Sequence, residues 1–308
     1  MRLISLVPAG ALISLALLLE GCYSFREPPK VIHKYFRDHN VEGRIAHYTA
    51  LNRKMYYAET GQPGKPVVFF VHGSPGSLSA FVPFLTDSLL LQRTLLITVD
   101  RPGFGYSGYK LAEPSLDRQS AILKAIVAEK KSDQPVILVG HSLAGPLVAK
   151  MAIQYPELID GIVIVAGSID PDLEPNDLWF RAPLATPFLS WIVPGAFRPS
   201  NEELYQLEPQ LRAMLPDWQK ITCPVVVIHG KKDQFVPFEN ISFAERSITS
   251  TPVKYILDDE ANHFIPWAKP EMITNGIHYL LDNLTAQNAG LKPVTSAPDS
   301  LDAVNDLH

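Results

Sequence analysis

The sequence predicts an α/β domain built on a mostly parallel, doubly wound sheet with a helical lid. Short apolar runs alternate along the chain with helix-length segments, and their continuous apolarity is typical of strands buried on both faces. Strand–helix–strand units repeated in this way form a parallel sheet with helices on both sides. The six predicted strands of this sheet are 66–71, 94–99, 135–139, 161–165, 224–228 and 253–257.

Helical periodicity follows three of these strands. Residues 116–131, 143–155 and 270–284 place apolar side chains three and four positions apart, which predicts helices that pack on the sheet. Residues 44–50 and 54–60 instead alternate between apolar and polar side chains, and a short link joins them. This second pattern predicts an antiparallel hairpin at the edge of the sheet.

The interval 170–222 breaks the alternation of strands and helices. It has no strand pattern but is rich in Pro, Trp, Leu and Phe, which predicts a helical lid over the carboxyl edge of the sheet. The two ends of the chain differ in composition from its body. We therefore divide the chain into a signal peptide (1–21), a spacer with at most one short helix (22–42), the α/β domain (43–284) and a disordered tail (285–308).

The composition of the 308-residue chain excludes several classes of protein. Its hydrophobic content of 46% is too high for a disordered protein, and two cysteines cannot make a disulfide scaffold. The net charge of −5 argues against a nucleic-acid partner, because phosphate binding requires clustered Lys and Arg side chains. A globular domain stabilised by its own core remains, and its oligomeric state stays open.

The N-terminus resembles a bacterial lipoprotein signal. After Arg2, residues 3–19 form a nearly continuous apolar stretch, and Leu-Glu-Gly-Cys follows at 19–22. This tetrapeptide is similar to the lipobox, in which a small residue precedes the cysteine that receives the lipid. The resemblance implies lipidation of Cys22 and a place in the cell envelope, anchored to a bacterial membrane outside the cytoplasm. The alternatives are an uncleaved anchor helix or a signal cut without lipidation, and an unmodified Cys22 could pair with Cys223.

A serine lies in a tight turn between a predicted strand and a predicted helix. Residues 140–145 read Gly-His-Ser-Leu-Ala-Gly, so that small residues flank Ser142 and leave its hydroxyl free above the sheet. The pattern resembles the nucleophile elbow, G-x-S-x-G, of the α/β-hydrolase family, with Ala144 in place of the second glycine. The resemblance implies an α/β-hydrolase fold, a nucleophilic role for Ser142 and no cofactor.

A serine hydroxyl needs a base, and the family places its residues in the order serine, acid, histidine. His263 follows the last predicted strand and is the best candidate for the base. Asp233 follows the penultimate strand and matches the family position of the acid, which would orient His263. Asp170, after the preceding strand, is the alternative acid that some relatives use.

Other polar residues at the strand ends are interpreted as structural. His72, His141 and His229 each lie beside a glycine, where an imidazole usually binds turn backbone. A metal site is disfavoured because no carboxylate has metal-binding spacing beside these histidines. Asp258 and Asp259 lie too near the strand end to be the acid and are expected to face solvent.

An oxyanion hole requires two backbone N–H groups aimed at the developing negative charge. The first is expected from Leu143, directly after the nucleophile and at the start of a helix. The second is expected from Ser74, in the His-Gly-Ser-Pro-Gly loop at 72–76. A further turn at 100–107 also resembles a family motif, and we assign it to structure and to the pocket wall.

The sequence therefore predicts a serine hydrolase that acts on a small-molecule acyl substrate through an acyl-enzyme. The bond is ester-like, that is a carboxylic ester, a thioester or a lactone, and a carbon–carbon bond next to a ketone is also open. The loop at 72–76 is similar to that of proline iminopeptidases, so peptide cleavage is an alternative, as is perhydrolase chemistry. An inactive, membrane-tethered binding protein of the same fold is the non-enzymatic alternative.

Overall fold

A single eight-stranded sheet forms the centre of the protein in a computed structural model that describes residues 25–175, 177–186 and 188–288. The strand order is β1-β2-β4-β3-β5-β6-β7-β8; strands β3 to β8 are parallel, and β2 is antiparallel to both of its neighbours. The mostly parallel, doubly wound sheet is confirmed. In chain order the strands are β1 (Gly43–Ala50), β2 (Arg53–Gly61), β3 (Val67–Val71), β4 (Leu95–Val99), β5 (Val136–His141), β6 (Gly161–Val165), β7 (Val225–Gly230) and β8 (Val253–Asp258).

Helices cover both faces of the sheet. The three predicted helices are present as α3, α4 and α10, and α10 continues four residues beyond the predicted domain end at 284. The helices are α1 (Pro29–Asp38), α2 (Ser88–Arg93), α3 (Leu116–Lys130), α4 (Ala144–Gln154), α5 (Leu178–Ala185), α6 (Arg198–Tyr205), α7 (Leu207–Met214), α8 (Asn240–Ser247), α9 (Ile265–Ala268) and α10 (Pro270–Asn288).

The continuous apolar runs divide their side chains between two cores. In β3, Val67, Phe69 and Val71 point into the cluster that α3, α4, α7 and α8 cover. Val68 and Phe70 point into the opposite cluster, which α1, α2 and α10 cover. Because successive side chains of a strand face opposite sides, a strand between two helical layers must be apolar at every position.

The antiparallel hairpin lies at the predicted edge of the sheet. Strands β1 and β2 pair over their whole length, and β1 is the edge strand. The turn between them consists of Leu51 and Asn52, both with positive φ, as a two-residue hairpin turn requires. At the other edge every residue of β8 is only partly buried, because no strand covers its outer side.

The predicted lid at 170–222 divides into two parts, and its described residues contain no strand. The first part runs to the end of α6 and carries several exposed aromatic side chains. The second part begins at α7, where Leu207 and Leu211 belong to the main core cluster together with Trp218. Sequence composition did not separate these parts, because both are apolar and rich in proline.

The N-terminal spacer is packed on the domain. Helix α1 is the predicted short helix, and its Ile32 and Phe36 side chains are buried. Gly43 approaches Phe36 so closely that a Cβ atom there would lie 2.6 Å from the ring. The signal peptide, Cys22 and the tail beyond 288 lie outside the described residues. Among the helices that are described, none combines the length and apolarity needed to cross a bilayer.

We expect Phe36→Ala to lower the free energy of unfolding by about 3–5 kcal/mol, because it removes a buried ring and leaves a cavity. Chemical denaturation, followed by far-UV circular dichroism, measures this change. Val31 lies on the same helix but is 43% exposed, so Val31→Ala is the matched control and should change stability by less than about 0.5 kcal/mol. Equal, small effects of both variants would show that α1 is not part of the cooperative unit.

Candidate active site

Ser142 lies in a strained turn between β5 and α4. Its φ angle is 57°, a left-handed conformation that non-glycine residues rarely adopt. The turn requires small neighbours: a Cβ atom on Gly140 would lie 2.3 Å from the carbonyl oxygen of Ala144, and one on Gly145 would lie 2.8 Å from Gly167 Cα. The buried methyl group of Ala144 is accommodated in place of the glycine that the elbow pattern has there.

The hydroxyl of Ser142 begins a chain of two hydrogen bonds that runs through His263 to Asp233. Its Oγ lies 3.1 Å from Nε2 of His263, and Nδ1 of His263 lies 2.8 Å from Oδ2 of Asp233. The loops that follow β7 and β8 carry Asp233 and His263 and contact each other directly. A Cβ atom on Gly230 would lie 2.1 Å from the carbonyl oxygen of Ala261, so glycine is needed where these loops meet.

The Asp233 carboxyl is held in its ionised form. Burial alone would raise its pKa, but the hydrogen bond from His263 and the backbone N–H groups of Val236 and Phe235 lower the pKa below its usual value. Those two N–H groups donate to Oδ1 at 2.8 and 2.9 Å, which leaves Oδ2 for His263. An ionised carboxylate at Nδ1 requires the proton on that nitrogen, so that Nε2 of His263 can accept from Ser142.

Neither the alternative acid Asp170 nor Asp258 is hydrogen-bonded to His263, and Asp258, expected to face solvent, is partly buried, with its side chain 26% exposed. Asp170 pairs with Arg246 and accepts a hydrogen bond from the N–H of Asp172 at 3.0 Å. Asp258 accepts from two backbone N–H groups and pairs with Lys269, which lowers its pKa. Of the predicted acids, Asp233 is therefore the one that contacts the imidazole.

The histidines at the strand ends bind backbone, as predicted. Nε2 of His141 donates to the carbonyl oxygen of His263 at 2.9 Å, and Nε2 of His229 donates to that of Val236 at 3.1 Å. Burial lowers the pKa of His141 to about 3 and that of His72 well below its usual value, so both rings are neutral. Within the described part of the chain, no group of three or more His, Cys, Asp and Glu side chains is arranged to hold a metal ion.

The two predicted oxyanion donors lie beside Ser142. Leu143 follows it directly at the start of α4, and the loop at 72–76 lies across from it. A Cβ atom on Gly73 would lie 2.9 Å from Ser142 Cβ, so this loop approaches the serine as closely as a glycine allows. Neither the N–H of Ser74 nor that of Leu143 donates a hydrogen bond to any residue that the structure describes.

Sequence reasoning missed a buried ion pair next to this loop. Arg101, in the turn after β4, and Glu203, in α6, form a two-pronged contact with distances of 2.5 and 3.1 Å. A charged residue directly after a buried strand was visible in the sequence and required a partner. The partner lies 102 positions further along the chain, in a segment without a recognisable motif, so the pair itself could not be identified.

Comparison with known proteins agrees with this architecture. A family model described as the alpha/beta hydrolase fold matches residues 66–198, which include the loop at 72–76 and the turn around Ser142. The chain has the α/β-hydrolase fold. Two solved structures have a similar fold. One is a bacterial membrane phospholipase A, with a TM-score of 0.59 and 17% identity over 92% of this chain and 94% of that one. The other is the thioesterase domain from the curacin biosynthetic pathway, with a TM-score of 0.60 and 17% identity over 76% of this chain and 98% of that one.

Curated relatives are similar over part of their length. Human protein ABHD8 is 27% identical over 258 residues, which cover 72% of this chain and 56% of ABHD8. The human mitochondrial palmitoyl-protein thioesterase ABHD10 is 27% identical over 198 residues, which cover 61% of this chain and 64% of ABHD10. The matches thus span 56% of ABHD8 and 64% of ABHD10.

We expect a fluorophosphonate probe to label Ser142, because the hydrogen bond to His263 makes its hydroxyl nucleophilic. His263→Ala should lower the labelling rate about 10²–10⁴-fold through loss of the general base. Mass spectrometry of the labelled peptide measures both site and rate. His278, a histidine of α10 that contacts Arg93, provides the control, since His278→Ala should keep the wild-type rate. Labelling at another serine, or an unchanged rate in His263→Ala, would contradict the assignment.

Proposed function

We propose that the chain is a serine hydrolase that cleaves an ester-like bond of a small-molecule acyl substrate through an acyl-enzyme. The observation that carries the proposal is the continuous hydrogen-bonded chain from Ser142 Oγ through His263 to Asp233, with distances of 3.1 and 2.8 Å. A scaffold that had lost turnover would be expected to lack at least one of these side chains or their contacts. The completeness of the arrangement therefore favours an enzyme over an inactive binding protein.

The first half of the reaction forms the acyl-enzyme. Ser142 Oγ attacks the carbonyl carbon as its proton passes to Nε2 of His263, and the buried charge of Asp233 stabilises the imidazolium. The carbonyl oxygen becomes an oxyanion and accepts hydrogen bonds from the N–H groups of Leu143 and Ser74. The bond to the leaving group then breaks, and Nε2 of His263 returns the proton to the departing alcohol or thiol.

The second half releases the acid. Water enters in place of the leaving group, gives its proton to Nε2 of His263 and attacks the acyl carbon. The same two N–H groups stabilise the second tetrahedral intermediate, which collapses to the free acid and restores the hydroxyl of Ser142. No step requires a cofactor.

Aromatic side chains around His263 favour an apolar leaving group. The Phe235 ring centroid lies 5.4 Å from the imidazole and that of Phe264 lies 5.9 Å from it. Because Nε2 of His263 must reach the leaving oxygen or sulfur, the group attached to that atom passes beside these rings. The thioesterase named among the relatives supports keeping thioesters in the substrate class beside carboxylic esters and lactones.

We expect Ser142→Ala to lower hydrolysis of a p-nitrophenyl ester on the order of 10⁶-fold, because the nucleophile is removed. A series of acyl chain lengths, with matched thioesters, measures substrate class at the same time. Ser168 is the matched control: it lies near Ser142, but its hydroxyl binds Glu174, so Ser168→Ala should keep activity. Activity that survives Ser142→Ala would contradict the proposal, and a wild-type chain inactive on the whole series would favour the binding protein.

We also propose that the N-terminal segment holds the chain at a membrane through lipidated Cys22. The first described residue, Phe25, lies at the edge of the lid: its ring packs on Phe197 at 5.6 Å, and its carbonyl accepts from Ser77 Oγ at 2.5 Å. Only three peptide units separate Cys22 from Phe25, and they span roughly 10 Å at full extension. A lipid on Cys22 would therefore bring the lid side of the domain to the bilayer surface.

The exposed aromatic residues support this orientation. Among the residues that the structure describes, the exposed aromatic side chains belong to Phe25, to the first part of the lid and to the segments that follow the carboxyl ends of β7 and β8, including α9. Aromatic side chains, Trp above all, are enriched where proteins meet the lipid headgroups. The exposed aromatic face consists of Phe25, Trp179, Phe188, Trp191, Phe235, Phe264 and Trp267.

We expect brominated phospholipids to quench the Trp fluorescence of the full chain reconstituted in vesicles, because this face lies in the interface. Replacing Trp179, Trp191 and Trp267 by Phe should remove the quenching. The remaining Trp218 is fully buried in the core and is the internal control, since its emission should stay unquenched.

Two results would contradict parts of this proposal. Unquenched emission from wild-type chain bound to vesicles would mean that the aromatic face points away from the bilayer. Cys22→Ala should remove the mass of the lipid and release the chain from membranes. A Cys22→Ala chain that stays bound at unchanged mass would favour the uncleaved anchor helix.

A further inference from the structure

A carboxylate of the lid is buried against the loop at 72–76. The Glu203 side chain is 1% exposed, and each of its oxygens accepts two hydrogen bonds. Oε1 accepts from Arg101 Nη1 at 2.5 Å and from Gln119 Nε2 at 2.8 Å, whereas Oε2 accepts from Arg101 Nη2 at 3.1 Å and from Ser74 Oγ at 2.6 Å. A carboxylate offers about four acceptor positions, so all of those of Glu203 are occupied.

Arg101 connects this carboxylate to the backbone of the same loop. Its Nε donates to the carbonyl oxygen of His72 at 2.8 Å, and its Nη2 donates to that of Gly73 at 3.0 Å. Nη1 also donates to Gln119 Oε1 at 3.0 Å, so the five N–H groups of the guanidinium are all used. Three consecutive loop residues are thus held by the pair of Arg101 and Glu203.

The contact with Gly73 fixes the direction of the Ser74 N–H. The carbonyl of Gly73 and the N–H of Ser74 belong to one peptide unit, which is planar and trans, so they point in opposite directions. Nδ1 of His72 donates to the same carbonyl oxygen at 2.7 Å. While the guanidinium of Arg101 and the imidazole of His72 hold this oxygen, the N–H of Ser74 faces the other side. Gly73 also packs directly on Ser142, which keeps this peptide unit beside the nucleophile.

We propose that Glu203 is a positioning residue for the oxyanion hole. It orients the guanidinium of Arg101 and the hydroxyl of Ser74, and these two groups hold the peptide unit between Gly73 and Ser74 so that its N–H points at the oxyanion. The inference rests on the proposed function, since it assumes that Ser142 forms a tetrahedral intermediate. Because Glu203 belongs to α6, the hole is complete only while this part of the lid is seated.

Glu203→Gln tests the role with little change in shape. Glutamine replaces one of the two oxygens by an NH2 group, which donates and cannot accept, so two of the four hydrogen bonds to this side chain are lost together with its negative charge. We expect kcat to fall about 10–100-fold, less than the 10²–10³-fold loss on removing an oxyanion donor outright. KM should change less than twofold, because the hole binds the transition state and not the substrate. The affinity of an alkyl boronic acid, which forms a tetrahedral adduct, should fall in parallel with kcat.

Ser74→Ala tests the same link without disturbing the buried charges. It removes the hydroxyl that donates to Glu203 but keeps the backbone N–H, so kcat should fall about 5–20-fold, as expected for loss of a hydrogen bond to a charged group. If Glu203→Gln does not fold, Ser74→Ala alone tests whether the contact between Glu203 and Ser74 supports kcat. A rise in KM with unchanged kcat in either variant would overturn the positioning role.

Glu113 provides the matched control for burial of a carboxylate. Its side chain is 7% exposed and pairs with Arg118 and Arg53, which do not contact the loop at 72–76. Glu113→Gln should keep kcat; an equal loss there would reduce Glu203 to a general stabiliser. An inactive Ser142→Ala beside fully active Glu203→Gln and Ser74→Ala would refute only the positioning role, whereas an active Ser142→Ala would refute the proposed function itself.

Discussion

The close approach of backbone around Ser142 is the constraint on which the rest of the site depends. The serine adopts a left-handed conformation that costs of order 1–3 kcal/mol, and the surrounding packing has to hold it there. Three contacts do so: Gly140 against Ala144, Gly145 against Gly167, and Gly73 against Ser142 itself. Each leaves no room for a further side chain. The turn therefore raises the hydroxyl above the sheet and brings the 72–76 loop within reach of the same point.

Near this turn the carboxyl of Asp233 is ionised, whereas the imidazoles of His72 and His141 are neutral. Asp233 stays charged because backbone N–H groups and His263 surround it. Burial lowers the pKa of His229, whose Nε2 lies 3.5 Å from Oδ2 of Asp233, and it also lowers the pKa of His72 and His141. Each neutral imidazole is used as a geometric support, since it donates to or accepts from the loop backbone.

Most of this arrangement could be predicted from the sequence, for reasons that are local. Five of the six parallel strands are visible because burial on both faces demands nearly unbroken apolar runs, whereas the edge strand β8 is only partly buried and contains Lys254. Ser142, Asp233 and His263 follow these strands directly, and parallel strands place their carboxyl ends at one edge. Glu203 could not be found in this way: it is held by contacts with residues 84 to 129 positions away, and its own helix has no distinctive pattern. The division of the lid was missed for a similar reason, because α7 belongs to the core only through its packing.

The placement of Glu203 limits how the segment between β6 and β7 can be exchanged. Surface insertions of many folds can be grafted as independent cassettes, because the scaffold beneath them is complete without them. Here the scaffold contributes a buried guanidinium whose counter-charge comes from the insertion. A chimera that received another protein's segment without a carboxylate at the matching place would leave that cation unpaired in the interior, at a cost of about 3–5 kcal/mol. Insertion and scaffold are therefore constrained to change together at this pair of residues.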